Sequence, residues 1–183
     1  MSNCIIVVAD AKCARLFALR DSLTPEIEST PRLVETRALV NIAQAAAKAE
    51  HRATPISGRN RSGSGGSYAF DDHRAKREHD ELRRFSGQVA KAALNETKKE
   101  DAHSLVLVAE RKTLGLLREI FAGIRTNGLV IRDWGRDLTG DSPSRIHELL
   151  AKRDLIPPSI KPAANVRRPG NGLRKPVART GPE

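Results

Sequence analysis

Aromatic residues make up only 3% of this 183-residue chain: four Phe, one Trp and one Tyr. A core of stacked rings is excluded, so Leu, Val, Ile and Ala must supply the interior. Cysteine is almost as scarce. Cys4 and Cys13 are too few for a disulfide framework, and nothing stands at zinc-ligand spacing from them. Both read as small structural thiols. Long apolar runs are missing as well, and none approaches the roughly 20 residues that a membrane helix needs. The opening "MSNCIIVVAD" has no basic segment ahead of its apolar run, which Asp10 ends. The expectation is a protein without secretion leader or membrane contact, hence cytoplasmic. Acid is the scarcer charge. The chain has 32 Lys or Arg against 22 Asp or Glu, a net +10, which favours polyanionic partners such as RNA.

What is present reads as alternating short elements. "IIVVA", 5 to 9, is a continuous β-branched run, which predicts a strand buried on both faces. "ARLFALR", 14 to 20, follows a tight turn and predicts its hairpin partner. Pro25 and Pro31 bound a loop. "RLVETRALV", 32 to 40, alternates, with Val34, Thr36 and Ala38 expected on one face and Glu35 and Arg37 on the other. The Ala-rich stretch 41 to 50 suits a short helix behind Asn41. A helix capped by Asp71 or Asp72 is predicted to reach about Lys99, with Leu82, Phe85, Val89 and Ala93 on its inner stripe. Then come a strand at 104 to 109, a helix at 112 to 124, a strand at 128 to 134, and a helix begun by Ser142 and Pro143. The order β-β-β-α-β-α-β-α predicts an α/β domain over residues 1 to 156, with a mixed five-stranded sheet of ribonuclease H-like type.

Two segments stand apart. Residues 157 to 183 hold six of the ten prolines and six Lys or Arg against one Glu, so they are expected to be a disordered basic tail. Residues 51 to 70 contain "SGRNRSGSGGSYAF", read as a flexible Gly/Ser/Arg loop. Its "GRNRSGS" has Ser64 where a phosphate-binding P-loop requires Lys. Arg52, Arg59 and Arg61 make it cationic. Tyr68 and Phe70 read first as pins that hold the loop's exit to the core, and second as platforms for bases. A metal-dependent nuclease would need clustered carboxylates. Asp10, Asp72, Asp133 and Asp137 are the candidates, but each has an ordinary turn or capping role. The five histidines show no metal spacing and read as single exposed side chains.

Several stretches taken together resemble one known family. They are "VVADAKCARLFAL", the Gly/Ser loop, "HRAKREHDELRRFSGQVAKAALN", "LVLVAERKTLGLLR" and "DWGRDLTGDSPSRIHELL". In that order they are similar to the bacterial host attachment proteins, over about residues 3 to 151. The family in turn is similar to the central domain of archaeo-eukaryotic peptide-chain release factors. That resemblance implies a ribonuclease H-like fold and a loop that enters the ribosome through a Gly-Gly-Gln tip. The corresponding residues here are Gly65, Gly66 and Ser67, so the two glycines match and the glutamine does not.

These readings converge on a cytoplasmic RNA- or ribosome-associated module that uses no metal and no small-molecule cofactor. The residues expected to contact nucleic acid are Arg59, Arg61, Gly65, Gly66, Ser67, Arg74, Lys76 and Arg77. No catalytic residue is assigned. The alternatives are an interaction protein supporting attachment without RNA, and a peptidyl-tRNA hydrolase or nuclease.

Overall fold

The structure, a computed structural model, describes residues 4–24, 28–43, 69–124 and 128–160, with 69–74 as backbone only. Five strands, β1 (Cys4–Ala9), β2 (Cys13–Arg20), β3 (Arg32–Val40), β4 (Ser104–Ala109) and β5 (Val130–Gly135), form one sheet. Among the described residues three helices flank it: α1 (Ala69–Lys99), α2 (Arg111–Ala122) and α3 (Pro143–Ala151). The strand order is β3-β2-β1-β4-β5. The first three strands are antiparallel neighbours, and β4 and β5 run parallel to β1. The fold is therefore an open, mixed α/β sheet.

β1 and β4 sit centrally, which is why their apolar runs do not alternate. Ile5, Val7 and Ala9 face α1 and α2, against Phe85, Val89, Leu117 and Phe121. Ile6 and Val8 face the opposite layer, formed by Leu138, Ile146, Leu150 and Ile156. Small Ala at 90, 92 and 93 lets α1 lie close to the sheet. The packing is α/β/α, and the core is aliphatic, as the shortage of rings requires.

Three local expectations change. The alternation expected along β3 breaks, because Leu16 pairs with Arg37 and Phe17 with Glu35, leaving Thr36 as an extra residue. Such a bulge flips every later side chain to the other face. Leu33 thus joins the α3 side and Leu39 packs on the α1 side, although both have odd numbers. α1 is helical from Ala69, so Asp71 and Asp72 lie inside its first turn and do not cap it. β5 starts at Val130 rather than 128, because Gly128 takes a left-handed φ of 85° that no strand residue adopts.

The start of α3 matches its sequence. Ser142 Oγ accepts from Arg145 N at 3.3 Å, and Pro143 opens the helix. Its end could not be read from glycine. Asp154 takes φ 55°, with Leu155 N donating to Leu150 O and Asp154 N to Ala151 O. That is a Schellman turn with Asp in the left-handed position. Asp101 closes α1 the same way, with φ 48°. The chain stays attached beyond the expected domain end. His147 Nε2 bonds Pro157 O at 2.9 Å, and Thr30 and Ile160 exchange two backbone bonds. Of the Ala-rich 41 to 50 stretch, Ile42 and Ala43 are helical and the remainder lies outside the described residues.

Candidate functional site

α1 has 31 residues, a length of about 46 Å, whereas six-residue β1 spans about 20 Å. The two cannot match. Burial on α1 begins at Phe85, and residues 75–80 are all exposed. Arg83 is tied to Glu119 of α2 at 2.7 Å, the first side-chain link of the helix to the body among the described residues. Lys76 and Arg77 therefore stand on an exposed helical segment. Beside them is an open depression of about 400 Å³ lined by Lys76, Arg77, Asp80, Glu81 and Arg84. Its two carboxylates offset two of its three cations, so charge does not make it an anion site. The backbone at Arg74 is helical, but its side chain lies outside the described residues, as do Arg59, Arg61, Gly65, Gly66, Ser67, Tyr68 and the side chain of Phe70.

The segment after β5 returns across the sheet end to the turn between β1 and β2, where Arg15 holds Thr139 O and Asp141 O. Asp10 Oδ1 accepts from Lys12 N at 2.7 Å and from Cys13 N at 2.6 Å. Asp137 Oδ1 accepts from Thr139 N and from Thr139 Oγ1. Both carboxylates thus fix turns. Asn41 binds the same turn through Ala11 O and Lys12 O, so the chain enters residues 44–68 from this end of the sheet. Partial burial, then the nearby charges of Asp10 and Asp137, push the Cys13 thiol above its ordinary pKa. Cys4, deeper in the sheet, is raised mainly by burial. A thiol held protonated is a poor nucleophile and a poor metal ligand.

Asp133 lies apart from these groups, on the α2 side, where it pairs with Arg118. The side chain of Asp72 is outside the described residues. Among the described residues no three His, Cys, Asp or Glu gather closely enough to hold a metal ion. The reading of all histidines as exposed is corrected at His147, which is 4% exposed and packed under the segment it binds. Its position on the inner face of an amphipathic helix was the available signal.

The sequence of a protein family described as required for attachment to host cells matches residues 5–150. That is most of the chain. The protein belongs to the host attachment family. No match is found among the curated proteins. The region shared with the host attachment family runs from β1 to the last turn of α3, so it takes in the whole sheet. It ends just before the Schellman turn and the segment that pairs with Thr30.

One group on β5 was missed by sequence reasoning. Arg132 and Trp134 alternate along the strand on its α3-facing side, and Arg136 follows in the tight turn just past its end, where Arg136 N donates to Trp134 O at 3.1 Å. The guanidinium of Arg136 lies 5.5 Å from the Trp134 ring centre, and that of Arg153, from the turn after α3, lies 5.0 Å away. Alternation alone would have aligned Arg132 with Trp134, and the turn after β5 adds Arg136. Arg153 arrives only through the tertiary fold.

Proposed function

We propose that this host attachment protein is a cytoplasmic RNA- or ribosome-associated module with a ribonuclease H-like body, acting by binding rather than by turnover. The observation that carries the reading is where its charge sits. Residues 44–68 hold four Lys or Arg against one Glu, and residues 161–183 hold six against one. Together they account for eight of the ten net positive charges, and the body between them is close to neutral. They leave the body from opposite ends of the sheet: one beyond Asn41, which is bound to the β1–β2 turn, the other beyond Ile160, which is paired with Thr30. Along β3 those ends are about 27 Å apart. A near-neutral platform with separated cationic segments suits an extended polyphosphate better than a compact small ligand.

The strand order and the three-strand antiparallel start are consistent with the ribonuclease H-like reading and with a likeness to the release-factor central domain. Gly65 and Gly66 then provide the tip of the long loop, and Ser67, lacking the amide of glutamine, leaves it without release chemistry. No metal and no small-molecule cofactor enters this reading, and the attachment in the family's description follows indirectly from what the protein does to RNA.

Titrating a labelled RNA at rising salt tests the proposal. Affinity is expected to fall steeply with salt, and removing residues 161–183 is expected to flatten the log–log slope by about 0.7–0.9 for each lost phosphate contact. An affinity that holds steady from low to moderate salt rules the reading out. Sedimentation with ribosomes in lysate gradients separates a ribosomal from a free-RNA partner.

A further inference from the structure

The body has its own cationic centre at the edge of the sheet. Arg132, Arg136 and Arg153 are all exposed and surround the half-buried Trp134. Six other arginines of the described body, Arg15, Arg20, Arg32, Arg83, Arg118 and Arg145, each hold a carboxylate. Among the described residues none of the three around Trp134 does. Arg132 instead donates to the backbone carbonyl of Asp154 at 3.1 Å, and the other two rest on the indole. Three like charges gathered without an ion pair repel one another, and the interactions that hold them leave guanidinium N–H groups unused.

Their frame is firm. Arg132 is anchored by β5, which is paired along its length with β4, and Arg136 by the turn bond from its N–H to Trp134 O. Arg153 is placed by the Schellman turn, whose Leu155 packs into the core beside Leu150. Stacking on an aromatic ring restricts a guanidinium without occupying its hydrogen-bonding fork. The forks of Arg136 and Arg153 are thereby prepared for a bidentate phosphate contact.

The geometry points to the Arg132–Trp134–Arg136–Arg153 face as a docking site for the phosphates of an extended RNA strand. This rests on the RNA reading above and names its contact surface on the body. Arg132 is held at Asp154 O, while Arg136 and Arg153 lie over the indole, so the three guanidiniums have separate anchors. Three guanidiniums offer more N–H donors than one phosphate can accept, so the patch suits a chain of phosphates better than an isolated ion. The patch also lies on a different element from the α1 cations that the sequence singled out.

The chain has one tryptophan, so its fluorescence reports on this patch alone. Full-length protein is titrated with an unstructured single-stranded RNA, following RNA anisotropy and Trp134 emission together. Both signals are expected to change with the same midpoint. The double variant Arg136→Gln/Arg153→Gln is expected to bind at least fivefold more weakly, with a salt slope lower by about 1.4 for two lost contacts. Its thermal melt by circular dichroism verifies folding, and the wild-type emission test requires no variant. RNA that binds without altering Trp134 emission overturns the patch and leaves the RNA reading standing. So does a folded double variant with unchanged affinity and slope. Absence of RNA binding at low salt removes both. Emission that responds to anionic lipid vesicles or polyglutamate, but not to RNA, overturns RNA as the occupant.

Discussion

Cys13 shows how a residue's neighbours decide its chemistry. It sits at the turn where Asp10 and Asp137 approach, and burial and both charges disfavour its thiolate. Its reaction with a thiol reagent at neutral pH is therefore expected to be slower than that of an unfolded cysteine. The rate should climb only as pH passes above the ordinary thiol range, near 9. A modification rate equal to that of a free thiol at pH 7 contradicts this assignment. By the same linkage, a raised thiol pKa contributes stability below the unfolded value that is lost as pH rises through the folded one. Arg15 illustrates the opposite case. It spans Glu35, Thr139 O and Asp141 O while lying 5.0 Å over the Phe17 ring, so it is a brace and not a contact for ligand.

At the scale of elements, β3 carries the least expected feature. Its sequence alternates, yet the extra Thr36 lets Leu33 and Leu39 serve opposite faces. Removing Thr36 should join the two halves in regular register. The loss is confined to its hydrogen bond to Leu16 O, a cost of about 1 kcal/mol in urea denaturation. The same one-residue deletion at Ala18, in a bulge-free run of β2, misplaces Leu19 and is expected to abolish cooperative unfolding. Equal effects from the two deletions contradict the bulge account. α1 shows a second mismatch, since a helix more than twice the length of its neighbouring strand must project. The stripe through Phe85, Val89 and Ala93 was legible because helical periodicity records which face is buried, whereas Leu82, expected at its head, is only half-buried and outside the core. The helix end at Asp101 was not, because Asp stood where a glycine would have signalled the left-handed turn.

At the scale of the molecule, the body does not stop where composition suggests. Pro157 and Ile160 belong to the Pro-rich end of the sequence, yet one caps a buried histidine and the other pairs with Thr30. A chain ending after residue 160 is expected to match the full chain in unfolding free energy. One ending after residue 156 should lose about 1–3 kcal/mol, the range for stranding a buried polar group. Comparable midpoints for the two truncations contradict this role. The charge map follows the same division. Most of the net charge lies outside the packed body, so removing residues 161–183 should alter RNA affinity and its salt slope with little change in melting temperature.

The order of elements along the chain, most of the helix stripes and the aliphatic core were readable in advance, because periodicity and β-branched runs are local records of burial. The family could be recognised from ordered stretches of the same kind. Other features depended on residues distant along the chain. The bulge at Thr36 shows only against β2, and the bond of His147 to Pro157 O only once the chain has passed α3. Arg153 reaches Trp134 only after α3 has crossed the sheet and turned. Contacts between remote segments leave no period in either one, so the charged patch on β5 emerged only once packing had brought its parts together.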